Sequence, residues 1–113
     1  MKEKSNLEHS KNKYHQSENQ IQKEEKILKQ AIKTPNSFAP IYEKYYLAIF
    51  KFVLQRVENE IVASEIVSDV FAKAIFNLKK YKFKGTPFSA WLYRVAYNEI
   101  MTTFRKQKKS RTV

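Results

Sequence analysis

Cysteine is absent from this chain, which removes both a disulfide framework and a thiolate metal site. The two histidines, His9 and His15, lie in a polar stretch without partner ligands, so metal or thiol enzymology has no foothold and no cofactor is expected. Long apolar runs are also missing: none approaches the ~20 residues needed to cross a bilayer. The N-terminus lacks the apolar core of a signal peptide, which points to a cytoplasmic protein. Glycine occurs once and proline three times, and no segment alternates with a period of two, so no sheet is expected. No internal repeat is visible.

Charge of one sign is what the chain has in excess. Its 113 residues carry 22 Lys and Arg against 11 Asp and Glu. Residues 1–33 contribute +3 (eight Lys, five Glu), residues 34–78 −1 (four basic, five acidic) and residues 79–113 +9 (ten basic, one acidic), which sums to +11. A basic surface that serves only solubility would be spread along the chain; concentration in the last third favours a polyanionic partner. Aromatic residues interleave with this basic segment and no lipid anchor ends it, so nucleic acid is favoured over a membrane.

The pattern along the chain is that of an all-α bundle of about four helices. Residues 1–20 are too polar to offset the entropy of ordering and read as a disordered tail. Ile21, Ile27, Leu28, Ala31 and Ile32 suggest a short amphipathic helix ended by Thr34, Pro35 and Asn36. A second helix follows, with Ser37 as its cap and Pro40 in its first turn. Its apolar positions are Phe38, Ile41, Tyr42, Tyr45, Ile49, Phe52 and Val53. After the polar break Glu58, Asn59, Glu60, a third helix runs to about Leu78, burying Ala63, Ile66, Val67, Val70, Phe71, Ala74 and Leu78. Lys79 to Gly85 forms a basic loop. Thr86 and Pro87 then open a last helix that should reach about Lys106. The domain is expected over residues 21–109, with 110–113 as a short tail.

Two helix faces are left over once the core is filled. At ~100° per residue the third helix separates its core stripe from Glu65, Ser68, Asp69, Ala72 and Phe76. That sector is either ordinary surface with one stray aromatic, or a docking face in which a small apolar centre is ringed by carboxylates for a basic partner helix. On the last helix Phe88, Leu92, Val95 and Ala96 face the core, while Trp91, Arg94, Asn98, Thr102 and Arg105 share another sector. Arginines hold phosphates, an asparagine amide reads a base edge, and tryptophan stacks on an unpaired base. A lone tryptophan is more often core, but the preceding Lys79, Lys80, Tyr81, Lys82, Phe83 and Lys84 alternate charge with aromatic rings beside the same helix. Glu99 falls within the apolar sector and needs a partner, for which Arg56 is a candidate.

Four stretches resemble region 2 of sigma-70-type RNA polymerase sigma factors of the extracytoplasmic-function (ECF) group. Phe38–Tyr46 looks like the family's opening helix and Ala63–Phe71 like its polymerase-binding helix; Phe83, Lys84, Gly85 resembles the following loop, and Phe88–Asn98 the melting and recognition helix. The resemblance covers roughly residues 24 to 109. It implies a transcription initiation domain without catalytic activity. Glu65, Ser68 and Asp69 would bind core RNA polymerase at the β′ coiled coil, and Ala72 and Phe76, which share their helix face, are taken with them as candidate contacts. Phe83, Lys84, Trp91, Arg94 and Asn98 would hold the melted non-template strand of the promoter minus-ten element, and Lys80, Lys82 and Arg105 of the same basic surface are taken with them as candidate DNA contacts. An anti-sigma factor is a further candidate partner. Ser68 stands where the family commonly has glutamine, and the family's second domain, region 4, is expected to be absent. The alternatives are a sigma-like decoy that titrates polymerase or an anti-sigma factor, and an independent single-stranded nucleic-acid-binding protein.

Overall fold

The computed structural model describes residues 17–112, with side chains over 17–109. Among the described residues there are four α-helices: α1 (Glu18–Lys33), α2 (Ala39–Val57), α3 (Glu60–Phe76) and α4 (Phe88–Thr112). Short 3-10 turns, Pro35–Phe38 and Leu78–Lys80, follow α1 and α3, and no strand occurs among the described residues. The all-α expectation therefore holds, while the polar tail proposed for residues 1–16 lies outside the described residues.

Local chemistry accounts for the boundaries. α1 starts three residues ahead of its first apolar position because Ser17 and Gln20 form a capping box, with both reciprocal bonds at 3.2 Å. Ser37 does not cap α2. Its N–H is spent on the Thr34 carbonyl at 2.9 Å within the 3-10 turn, and α2 begins at Ala39 without a side-chain cap, with Pro40 in the first turn as expected. The break between α2 and α3 takes only two residues. Glu58, left-handed at φ 54°, closes α2 through its N–H on the Leu54 carbonyl at 2.8 Å, and the Asn59 side chain accepts from the Val62 N–H at 2.9 Å to open α3. α3 ends at Phe76, so Leu78 is buried from the following 3-10 turn instead of from the helix. α4 opens at Phe88, directly after Pro87, and runs to Thr112, well past Lys106.

α3 lies between α2 and α4 and packs on both, while α1 closes over the turn before α2, the 3-10 turn after α3 and part of α4. The whole stripe read for α3, from Ala63 to Leu78, is buried. Tyr42 departs from expectation: at 43% exposure it lies over the edge of the core, its ring 4.8 Å from that of Phe71. At the centre, Phe38 meets Phe71 and Phe88 edge to face, with ring centroids 6.4 and 6.1 Å apart.

Two carboxylates lie inside this framework. Glu24 of α1 is 4% exposed and receives the Tyr45 hydroxyl and the Lys44 ammonium of α2. Glu99 of α4 is buried as its position required, but its partner is Lys73 of α3, not Arg56. Arg56 instead lies 3.7 Å over the Phe52 ring and donates to the Phe52 carbonyl at 2.8 Å, where burial of the cation is unnecessary.

Because Phe38 touches both α3 and α4 from an element belonging to neither, Phe38→Ala should cost about 3–5 kcal/mol. Urea denaturation would report it as a lower midpoint with an unchanged slope.

Candidate nucleic-acid interface

The loop between α3 and α4 is shaped from beneath by aromatic packing. Tyr81 sits edge-on to Phe83 at 5.1 Å and to Phe88 at 5.2 Å, and its ring is 5.3 Å from Trp91. Phe88 also contacts Trp91 at 5.3 Å. Burial pushes the Tyr81 phenol above its ordinary value; the hydrogen bond with the Thr86 side chain pulls the other way, and the charges of Glu24 and Glu25 push it up again. Tyr81 is therefore neutral at physiological pH. Gly85 makes the turn toward α4 at φ 74°, a conformation side-chain-bearing residues resist.

Above this layer lies a groove of about 280 Å³ lined by Lys80, Tyr81, Lys82, Lys84, Thr86, Ala90, Trp91 and Arg94. Five of the residues singled out from sequence thus come together: Lys80, Lys82, Lys84, Trp91 and Arg94. The four cations are exposed and Trp91 is half-buried, a cationic rim over an aromatic floor. Tyr81, which the loop's alternation of charge and aromatic residues singles out but which is not in the DNA-holding set, lines the groove too, and the sequence reading missed the lining roles of Thr86 and Ala90.

The remaining residues of that set are placed differently. Phe83 turns beneath the loop, half-buried, with the Lys29 ammonium of α1 5.3 Å over its ring. Asn98 is exposed one turn beyond Arg94, and its backbone carbonyl accepts the Thr102 hydroxyl at 2.9 Å. Arg105 lies two turns further along, donating to the Thr102 hydroxyl at 3.1 Å.

On α3, Glu65, Ser68, Asp69, Ala72 and Phe76 are all exposed, and Phe76, at 84%, is the most exposed large apolar residue among the described residues. Ile61, at 72%, extends the apolar part of this surface, which the sequence reading did not include. Glu65 and Asp69 overlook a second groove of about 300 Å³, shared with Thr103, Lys106 and Gln107 of α4 and floored by Val62 and Ile66. Neither carboxylate forms an ion pair among the described residues. No helix is long and apolar enough to cross a membrane, and no cluster of metal-ligating side chains occurs, again among the described residues.

These features define a class: a small helical module carrying a cationic, aromatic-floored groove and a separate acidic face on one core. The chain belongs to the sigma-70 region 2 family, whose model, described as Sigma-70 region 2, matches residues 41–110. Among its relatives are ECF RNA polymerase sigma factors. BldN of Streptomyces coelicolor is 23% identical over 73 residues, covering 65% of this chain and 28% of its own length. SigM and SigW of Bacillus subtilis are 26% and 30% identical over the same extent, covering 44% and 38% of their lengths. The chain thus spans less than half the length of these relatives. α1 precedes the residues that match the family model.

An added Cβ at Gly85 would meet nothing within 4 Å, so only the backbone conformation opposes a side chain there. Gly85→Ala should accordingly destabilise by roughly 1 kcal/mol, and Gly85→Asn, which tolerates the left-handed region, should recover most of it. Equilibrium urea unfolding of the two variants measures the difference.

Proposed function

We propose that this chain is a transcription initiation domain that binds core RNA polymerase through the exposed face of α3 and captures melted promoter DNA, at the minus-ten element, in the groove between the basic loop and α4. The reading is carried by one observation: Lys80, Lys82, Lys84 and Arg94 converge around Trp91 in a single groove, on elements different from the one that bears Glu65, Asp69 and Phe76. Membership of the sigma-70 region 2 family supports it.

The mechanism is capture of an open state. When promoter base pairs separate, an unpaired base of the non-template strand enters the groove and stacks against Trp91, a contact worth roughly 1–3 kcal/mol. The lysines and Arg94 neutralise the flanking phosphates, which adds affinity without sequence information. Asn98, one turn along α4, offers an amide donor and acceptor to a base edge. The chain contributes binding energy to the open complex and the polymerase performs the chemistry. On α3, Phe76 and Ala72 form the apolar centre of the polymerase contact, and the unpaired carboxylates of Glu65 and Asp69 attract a basic partner helix at the β′ coiled coil. An anti-sigma factor would compete for the same face.

Two experiments test the two halves. Glu65→Arg with Asp69→Arg should abolish retention by core polymerase in a pull-down while circular dichroism stays that of the parent; undiminished retention would place polymerase binding elsewhere. For DNA, Asn98→Ala should flatten discrimination among single-stranded oligonucleotides differing at one position by about 1–3 kcal/mol, whereas Lys84→Ala should weaken all of them alike. Fluorescence anisotropy reads both. A folded Asn98 variant with the parent's full base preference would move base reading into the loop.

A further inference from the structure

We infer that α1 carries a second phosphate-binding ledge, adjoining the loop, that holds the single strand where it continues past the captured base. The inference rests on the groove reading above and assigns a nucleic-acid role to a helix outside the residues that match the family.

Two of the three acids of α1 are already engaged. Glu24 is buried against Tyr45 and Lys44 of α2, and Glu25 pairs with Lys29 at 3.0 Å. Glu18 sits alone in the first turn, at the far end of the helix. The middle and end of α1 are thereby more cationic at the surface than the composition of the helix suggests. Lys26 and Lys33 are exposed, and no carboxylate pairs with either among the described residues.

These two lysines are also placed together. With Lys29, Gln30 and Ile32 they line one shallow groove of about 460 Å³ along the outside of the helix. Lys29, between them, is the joint to the loop, since its ammonium lies over the Phe83 ring. Phe83 is followed by Lys84, which lines the groove on the other side of the loop. Two cationic grooves, one with Arg94 and Lys84 and the other with Lys26 and Lys33, therefore flank the Lys29–Phe83 contact, with Glu25 beside it in the cleft between α1 and the loop. A strand of phosphates is the partner that such an arrangement complements, because phosphates meet cations in both grooves without any requirement on base identity. Gln30 adds a side-chain amide that can donate to a phosphate oxygen.

Length dependence separates this ledge from the groove. The test uses the full chain, fluorescein-labelled oligo-dT of about 6 and about 15 nucleotides, and a salt titration by anisotropy. Lys26→Ala with Lys33→Ala should leave the short oligonucleotide bound as by the parent. For the long one it should make the log–log salt slope shallower by about 1.4, two phosphates at about 0.7 each; over an about fourfold rise in salt this is a roughly sevenfold smaller loss of affinity. Equal slopes for parent and variant on the long oligonucleotide would overturn the ledge, as would equal weakening on both lengths, which would mark a general charge effect. Lys84→Ala is the control for the groove and should weaken both lengths. If it weakens neither while the α1 variant acts on the long strand, the ledge stands and the groove assignment falls. Both α1 positions are exposed, and circular dichroism checks that the fold is kept.

Discussion

Both candidate surfaces hang on the edge-to-face contacts of Phe38 with Phe71 and Phe88. Phe71 lies in sequence between Asp69 and Ala72, so fixing its ring inward fixes those two residues outward. Phe88 is the first residue of α4 and packs under both Tyr81 and Trp91, so the same joint sets the floor of the cationic groove. A domain of this size has little core to spare. One residue from a short turn, fully buried, orients the acidic helix and the basic helix at once, and the opposition of charge between the two faces follows from how their shared core is packed.

The buried carboxylates do different work. A carboxylate inside a core is costly unless paired, and each finds a lysine on the neighbouring helix whose head reaches it from a more exposed position. Lys73 and Glu99 tie α3 to α4, between the two surfaces, and specify which turns of the helices meet. Glu24 ties α1 to α2 and withdraws a negative charge from the α1 surface. Net charge counted along the chain misses this: the electrostatics a partner meets depend on which ions are already satisfied internally.

What was legible in the sequence was whatever depends on helical periodicity. The core stripe of α3 is buried residue for residue, and Glu99 was recognisable as an ion in an apolar sector. Its partner was not, because Lys73 and Arg56 both lay within plausible reach of an unplaced helix and only the packing angle decides between them. Ser37 illustrates a second limit. A capping hydroxyl before a proline-bearing helix suggests an N-cap, but Pro35 had already imposed a tighter turn that consumed the same backbone. The start of α1 was missed for the opposite reason: the signal, Ser17 three residues before Gln20, was present, but polar composition around it argued for disorder. At the candidate groove the structure brings together Lys80, Lys82, Lys84, Trp91 and Arg94, which the sequence had grouped, whereas Phe83, grouped with them, packs against Tyr81 and Lys29 of α1, a placement that only the packing of α1 decides.

The lone tryptophan gives the molecule an optical property. Trp91 lines the groove and lies within 5.3 Å of Tyr81, close enough for excitation absorbed by that phenol to pass to the indole. The long-wavelength emission of the protein therefore originates at the groove, and the core, which holds phenylalanine and tyrosine but no second indole, adds no competing signal in that range. The unlabelled chain is its own probe of what enters the groove.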